Sequence, residues 1–170
     1  MMSIDPKKYQ AENIVSKEEA IELVKDFKEQ GKIVGLCSGS FDLLHPGHIS
    51  HLISAKKACD ILFVALARDE FSSKKSDLSG RPVFSHDLRA YMISQLKSVD
   101  FVFLENGEVG TIGLIKPSIL IKGKDYADET NPKILEQKKI MEDLGGKIVY
   151  TEDEKLSTTD LIQYIKDEIK

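Results

Sequence analysis

Cysteine is scarce in this 170-residue chain, and Cys37 and Cys59 are the only two. Both lie among apolar neighbours, and two are too few for the disulfide scaffold on which small secreted folds depend. Long hydrophobic runs are missing as well. No stretch reaches the length of a membrane span, and the polar opening Met1-Met2-Ser3-Ile4-Asp5-Pro6 lacks the apolar core of a signal peptide. A cytoplasmic protein with no membrane partner is therefore expected. Positive charge is not in excess: the net charge of −4 argues against a nucleic-acid-binding surface. There is no glycine-lysine Walker loop, and no Gly-x-Gly-x-x-Gly follows the first apolar run, which disfavours a P-loop kinase and a dinucleotide dehydrogenase. Internal repeats and low-complexity segments are absent too.

What remains is an ordinary globular composition, 41% hydrophobic and 31% charged, long enough for one domain with a proper core. Residues 1–15 read as a loose polar arm. Ser16-Lys17-Glu18-Glu19 is a capping box, followed by Ala20, Ile21, Val24 and Phe27 on one helical face and by Gly31 as a stop. We divide the chain into an arm and helix over 1–31 and a single globular domain over 32–170. Short apolar runs at 33–37, 61–66, 100–104, 119–122 and 147–151 predict five strands. Helical patterns at 47–58, 85–97, 108–116, 132–144 and 157–169 alternate with them. Residues 68–84 predict a long loop, and such loops are usually functional. Strict alternation of strand and helix predicts an α/β fold, a doubly wound parallel five-stranded sheet with helices on both faces.

The most informative stretch joins the first strand to its helix: Gly39-Ser40-Phe41-Asp42-Leu43-Leu44-His45-Pro46-Gly47-His48. Ligands of α/β sheets collect at strand carboxyl ends, where helix N-terminal amides point outward. Gly39 and Gly47 permit close backbone approach, Pro46 suits a helix entrance, and His45 and His48 add imidazole donors beside the free amides. A phosphate fits there. Two further segments follow strands and should converge on the same edge: Lys122-Gly123-Lys124-Asp125-Tyr126 and Ser157-Thr158-Thr159. The latter offers hydroxyls and amides to an anion, although Ser157 with Asp160 also reads as plain helix capping.

Only three of the 24 basic residues are arginine, and Arg68, Arg81 and Arg89 all fall between the second strand and the next helix. Arginine's planar fork suits bidentate phosphate contacts, while chance clustering with surface ion pairs is the alternative. Lys74 and Lys75 in the same loop favour a cationic flap over an anionic substrate. The spacing of His45, His48 and His51 hints at a metal, but no carboxylate or cysteine stands at matching spacing, so no metal ligands are assigned. His51 is expected to be a packing or surface residue.

Gly39-Ser40-Phe41-Asp42 followed by His45-Pro46-Gly47-His48 resembles the HxGH signature of the nucleotidyltransferase superfamily, the cytidylyltransferase-like group with a Rossmann-like sheet. Lys122-Gly123-Lys124-Asp125-Tyr126 and Leu156-Ser157-Thr158-Thr159 match the later motifs in order, and the resemblance covers roughly residues 32–168. Within the group the chain is most similar to the adenylyltransferase domains of heptose-phosphate kinase/adenylyltransferases, which make ADP-heptose. Those domains carry Arg-Pro-Val, as at Arg81-Pro82-Val83, an arginine matching Arg89, and Lys-Gly-Gly-Asp-Tyr where this chain has Lys124 in place of the second glycine.

The resemblance implies an enzyme that transfers a nucleoside monophosphate, with ATP the first choice, to a phosphorylated small molecule such as heptose-1-phosphate. The acceptor phosphate would attack the α-phosphorus in line, and pyrophosphate would leave. His45, His48 and Lys75 would be catalytic. Gly39, Ser40, Phe41, Gly47 and the two histidines would cradle the nucleotide together with Lys122, Gly123, Asp125, Ser157, Thr158 and Thr159. Asp42, Lys74, Arg81 and Arg89 would face the substrate phosphate. Mg²⁺ would travel on the triphosphate, and a homodimer is implied. The alternative is a CTP-dependent cytidylyltransferase for glycerol-3-phosphate or a phospho-amino-alcohol. Those relatives place Arg-Thr-Glu-Gly before the Ser-Thr motif, where this chain has the acidic stretch Glu152-Asp153-Glu154-Lys155. An FMN adenylyltransferase and a non-catalytic nucleotide sensor are further readings on the same scaffold.

Overall fold

The apolar runs become strands buried on both faces. A computed structural model describes residues 5–74, 81–107, 109–127, 130–154 and 156–169. Its five strands are β1 (Val34–Gly39), β2 (Ile61–Ala67), β3 (Phe101–Glu105), β4 (Ile119–Gly123) and β5 (Lys147–Thr151), ordered β3-β2-β1-β4-β5. Every pairing is parallel, and β1 lies at the centre with Cys37 opposite Val64 of β2 and Ile121 of β4. Side chains alternate across the sheet, as the pleat requires. Leu36, Phe63, Ala65, Phe103 and Leu120 pack with Ala20 and Val24 of α1 (Lys17–Glu29), with Ile112 and Ile115 of α5 (Gly110–Ile115), and with Met141 of α6 (Pro132–Asp143). Cys37, Leu62, Val64, Leu66 and Ile121 face Leu52 and Ala55 of α2 (Pro46–Lys57) and Ala90 and Ile93 of α4 (His86–Ser94). The fold is thus the doubly wound α/β sheet expected from the alternation, closed by α7 (Thr158–Glu168).

Two local expectations change. The arm is not loose where it meets β3: Val15 N donates to Val102 O, and Val102 N donates to Asn13 O, each at 2.9 Å. β3 is an edge strand with unpaired backbone groups, and residues 13–15 cover part of that edge. Ala20 and Val24 of α1 are fully or nearly fully buried against the sheet. Within the expected loop 68–84, Asp69–Lys74 forms a short helix, α3. Its acidic first turn suits a helix N-terminus, but six residues with one apolar side chain, Phe71, show no periodicity to read. The capping box at Ser16 forms as expected, with Ser16 N donating to Glu19 Oε2 at 2.8 Å and Glu19 N donating to Ser16 Oγ at 3.1 Å. Among the described residues no helix is long and apolar enough to cross a membrane.

Candidate active site

From central β1 the chain winds outward through β2 and β3, then returns to place β4 on the other side of β1. The carboxyl ends of β1 and β4 therefore flank a topological switch point, where open α/β sheets form their crevice. A cleft of about 480 Å³ opens there. It brings together Gly39, Ser40, Phe41, Asp42, His45, Gly47 and His48 from the first turn, Lys122, Gly123 and Asp125 from the second, and Ser157, Thr158 and Thr159 from the start of α7. Arg81 also lines it. Lys75 lies outside the described residues, and Lys74 is the last residue of α3, with its side chain undescribed.

The turn after β1 brings two histidines into contact. Phe41 and Leu43 adopt left-handed backbone (φ 47° and 49°), which reverses the chain sharply before α2. His45 is the helix N-cap, and its Nδ1 accepts from His48 N at 3.4 Å. That bond assigns the His45 proton to Nε2. The two imidazoles stack with centroids 3.7 Å apart, and the Phe41 ring packs edge-on against His48 at 5.3 Å. Gly47 packs closely beneath the stack: a Cβ there would lie 3.2 Å from the His45 ring and 3.1 Å from Leu156 Cβ, so either side chain would have to give by a few tenths of an ångström. His45 Nε2 and His48 Nδ1 are buried and have no hydrogen-bond partner among the described residues. Burial pushes both rings below the ordinary histidine range. His48 falls to about 3, first through burial and then through His45, His51 and Arg81. At neutral pH the pair is therefore uncharged, and each ring is a dipolar hydrogen-bonding group.

The other expected residues have more specific jobs than the motif suggested. Asp42 is buried, and its carboxylate accepts from Arg81 Nε at 3.1 Å and from Val83 N at 3.0 Å. It thereby ties the first turn to the 81–83 segment. Ser157 caps α7 by accepting from Asp160 N at 3.1 Å, the plain capping reading of that motif. Thr158 donates to Asp42 O at 2.7 Å, and Arg81 Nη1 reaches Thr159 Oγ1 at 3.4 Å. Arg89 is the clear correction. Expected on the substrate phosphate, it is fully buried beneath the turn and does not line the cleft. Its guanidinium donates to Phe84 O, Ser40 O, Ala67 O and Asp69 Oδ1, so four of its five N–H donors are engaged within the protein.

Several cleft residues escaped sequence reasoning. His51, expected in packing, stands one turn beyond His48 on α2 and lines the cleft, its Nδ1 2.8 Å from Thr151 Oγ1 and its Nε2 3.6 Å from Cys37 Sγ. The three-residue spacing from His48 was the available signal, since such residues share a helix face. Asp153 also lines the wall and accepts from Ser50 Oγ at 2.6 Å and Ser54 Oγ at 3.0 Å. Burial works to raise its pKa, but the hydroxyls of Ser50, Ser54 and Thr151 outweigh that and hold it low. On the second turn, Lys122 lies 5.2 Å above the Tyr126 ring, and Lys124 reaches out to Glu152 O at 3.2 Å. Phe71, Glu105, Lys133 and Gln137 complete the opposite wall, and nothing in the sequence joined them to the histidines.

Two neutral imidazoles thus stand at the head of a helix on the switch point of a parallel sheet, and lysine and threonine from later loops line the same cleft. The chain belongs to the cytidylyltransferase-like family, whose pattern matches residues 36–164. It is 40% identical over 152 residues to the bifunctional protein HldE of Caulobacter vibrioides, covering 88% of this chain and 30% of that protein. It is 37% identical over 155 residues to the HldE of Vibrio cholerae, covering 90% of this chain and 32% of the relative. This chain thus spans about a third of the length of these curated relatives. Among solved structures, the lipopolysaccharide core biosynthesis protein from Thermoplasma volcanium is similar with a TM-score of 0.61 and 33% identity, over 74% of this chain and all of that one.

Proposed function

We propose that this chain transfers AMP from ATP to a sugar phosphate of the heptose-1-phosphate class and releases pyrophosphate. The observation that carries the reading is the stacked histidine pair, whose buried His45 Nε2 and His48 Nδ1 have no partner among the described residues. A buried polar atom left unpaired is costly, and phosphate oxygens would satisfy these. His45, with its proton on Nε2, donates to an oxygen of the triphosphate as charge develops at the α-phosphorus. No side-chain nucleophile is needed, because the acceptor phosphate is itself the nucleophile and the protein supplies position and charge stabilisation. Lys122 stands across the cleft as a cation for the same phosphates. The choice of ATP and a sugar phosphate draws support from the HldE relatives and from the Lys-Gly-Lys-Asp-Tyr and Arg-Pro-Val segments.

Among the described residues no group of three or more His, Cys, Asp or Glu side chains gathers to hold a metal. A Mg²⁺ would arrive on the triphosphate, and the carboxylates of Asp125 and Asp153, which line the cleft, would accept from waters of its hydration shell. Bound there, it would neutralise charge on the departing pyrophosphate. A homodimer and a cytoplasmic location belong to the same proposal.

The test is pyrophosphate release from ATP or CTP with Mg²⁺, against heptose-1-phosphate, glycerol-3-phosphate, phosphocholine, phosphoethanolamine and FMN. Turnover confined to ATP with the heptose phosphate is expected, and His48→Ala should lower it by at least about a hundredfold without unfolding the protein. A folded His48→Ala protein with a near-wild-type rate would refute the assignment. Preference for CTP with a small phospho-alcohol would replace the substrate pair and keep the site.

A further inference from the structure

Gln137 is only 3% exposed and lines the cleft, yet its Oε1 has no hydrogen-bond partner among the described residues. The chemistry of the histidine turn makes no use of it. A carboxamide oxygen held unpaired in a cleft wall calls for a donor that arrives with a ligand. One helical turn earlier on α6, Lys133 Nζ donates to Gly107 O at 3.3 Å and lies 5.4 Å from the centre of the Phe71 ring. Gly107 N in turn donates to Glu105 Oε2 at 2.8 Å, and Glu105 is 7% exposed. A Cβ on Gly107 would meet the Phe71 ring at 2.1 Å, so that ring lies directly against the same turn. Phe71, Glu105, Lys133 and Gln137 therefore form one lobe of the cleft, assembled from α3, the end of β3 and α6.

The chemistry of this lobe differs from that of the histidine lobe. Carboxylate and carboxamide oxygens accept hydrogen bonds from hydroxyl groups, an ammonium donates to hydroxyl or ring oxygens, and an aromatic face covers C–H groups. A triphosphate, an acceptor only, offers no donor to the carboxamide oxygen of Gln137, whereas hydroxyl groups do. We propose that this lobe binds the polyhydroxylated body of the acceptor, with Gln137 and Glu105 accepting from its hydroxyls, while the acceptor's phosphate reaches back to the histidine turn. The proposal rests on the nucleotidyl-transfer reading and adds to it the residues that select the acceptor.

The test compares wild type with Gln137→Met, close in size but unable to accept as an amide does, in steady-state kinetics with heptose-1-phosphate and ATP. The KM for the sugar phosphate should rise about tenfold, the worth of one hydrogen bond, with the KM for ATP changed less than about twofold. Thermal melting establishes that the variant is folded. Lys133→Met, on the more accessible end of the lobe, should shift the same constant and carries the test if Gln137→Met does not fold. A rise in the KM for ATP alone would assign the lobe to the base and overturn the proposal, and so would two unchanged constants. A wild type that neither turns over nor binds any sugar phosphate would remove the functional reading, and this assignment with it. A wild type active on sugar phosphates beside indifferent variants would remove the lobe's assignment alone.

Discussion

Replacing Arg89 separates two accounts of the site, because the motif makes it a phosphate ligand and the structure makes it a buried tie. Arg89→Met keeps the length of the stem and removes the charge. Ser40 O, Ala67 O, Phe84 O and the Asp69 carboxylate then each lose a donor. The side-chain exposures of Arg89 and Asp69 are 0% and 19%, so solvent can compensate the Asp69 carboxylate only in part. Breaking a buried pair by removing one partner costs about 3–5 kcal/mol. A domain of this size loses about 2–4 °C of Tm per kcal/mol, which gives a fall of about 6–20 °C. Thermal melting followed by circular dichroism reads this directly. Kinetics on the folded variant at low temperature should show KM for ATP and for the acceptor phosphate within about threefold of wild type, since the guanidinium touches neither. A variant melting within about 2 °C of wild type but with a KM for a phosphate substrate raised about a hundredfold would refute the structural account and restore the motif's.

Two further outcomes follow from the core and from the histidines. Burial first of all lowers the pKa values of His45, His48 and His51, so below the ordinary value near 6.5 the unfolded chain binds protons that the folded one refuses. Stability should hold above about pH 6.5 and decline as pH falls toward about 3, by at most about 1.4 kcal/mol per unit for each such histidine. Urea midpoints at pH 8, 6 and 5 check this, and a flat series would contradict the burial of the pair. Gly35→Ala should destabilise by about 1–3 kcal/mol through overpacking. The new methyl would lie 2.7 Å from Cys59 Sγ and 2.9 Å from Ile121 Cδ1 in the middle of the sheet. An unchanged urea midpoint would show that Cys59 swings away freely.

Legibility in the sequence followed the range of the forces involved. Strands written as continuous apolar runs, such as Ile61-Leu62-Phe63-Val64-Ala65-Leu66, declare burial on both faces locally, and the alternation with helices then leaves few topologies. The histidine turn was readable for the same reason: Gly39, Pro46, Gly47 and both imidazoles are neighbours in the chain. The burial of Arg89 was not readable, because its partners Ser40 and Ala67 are 49 and 22 residues away and come together only on folding. Gln137 gave no signal at all. A glutamine on a helix is ordinarily a solvated residue, and only the packing of α6 against the cleft makes its carboxamide conspicuous.

The turn itself shows why so much of the surrounding structure is committed to it. Left-handed backbone costs a bulky residue about 1–2 kcal/mol, and this turn holds two, Phe41 and Leu43. Such a conformation persists only when its surroundings fix it from several sides. Arg89 holds Ser40 O from α4, Thr158 holds Asp42 O from α7, and the backbone of Val83 with the guanidinium of Arg81 holds the Asp42 carboxylate. These ties span the chain from residue 40 to residue 158, so the histidine stack takes its shape only when β1, α4 and α7 are all in place. On the proposed function, the uncharged stack would offer a phosphate dipoles already fixed in place, and since His45 Nε2 and His48 Nδ1 lack partners among the described residues, no internal hydrogen bond of those nitrogens would have to break. Electrostatic stabilisation of a developing charge is largest under that condition, where the donors are fixed in advance and reorganise least. On the proposed function, Arg89 and Asp42 would contribute through the turn they tie down, which carries the two histidines.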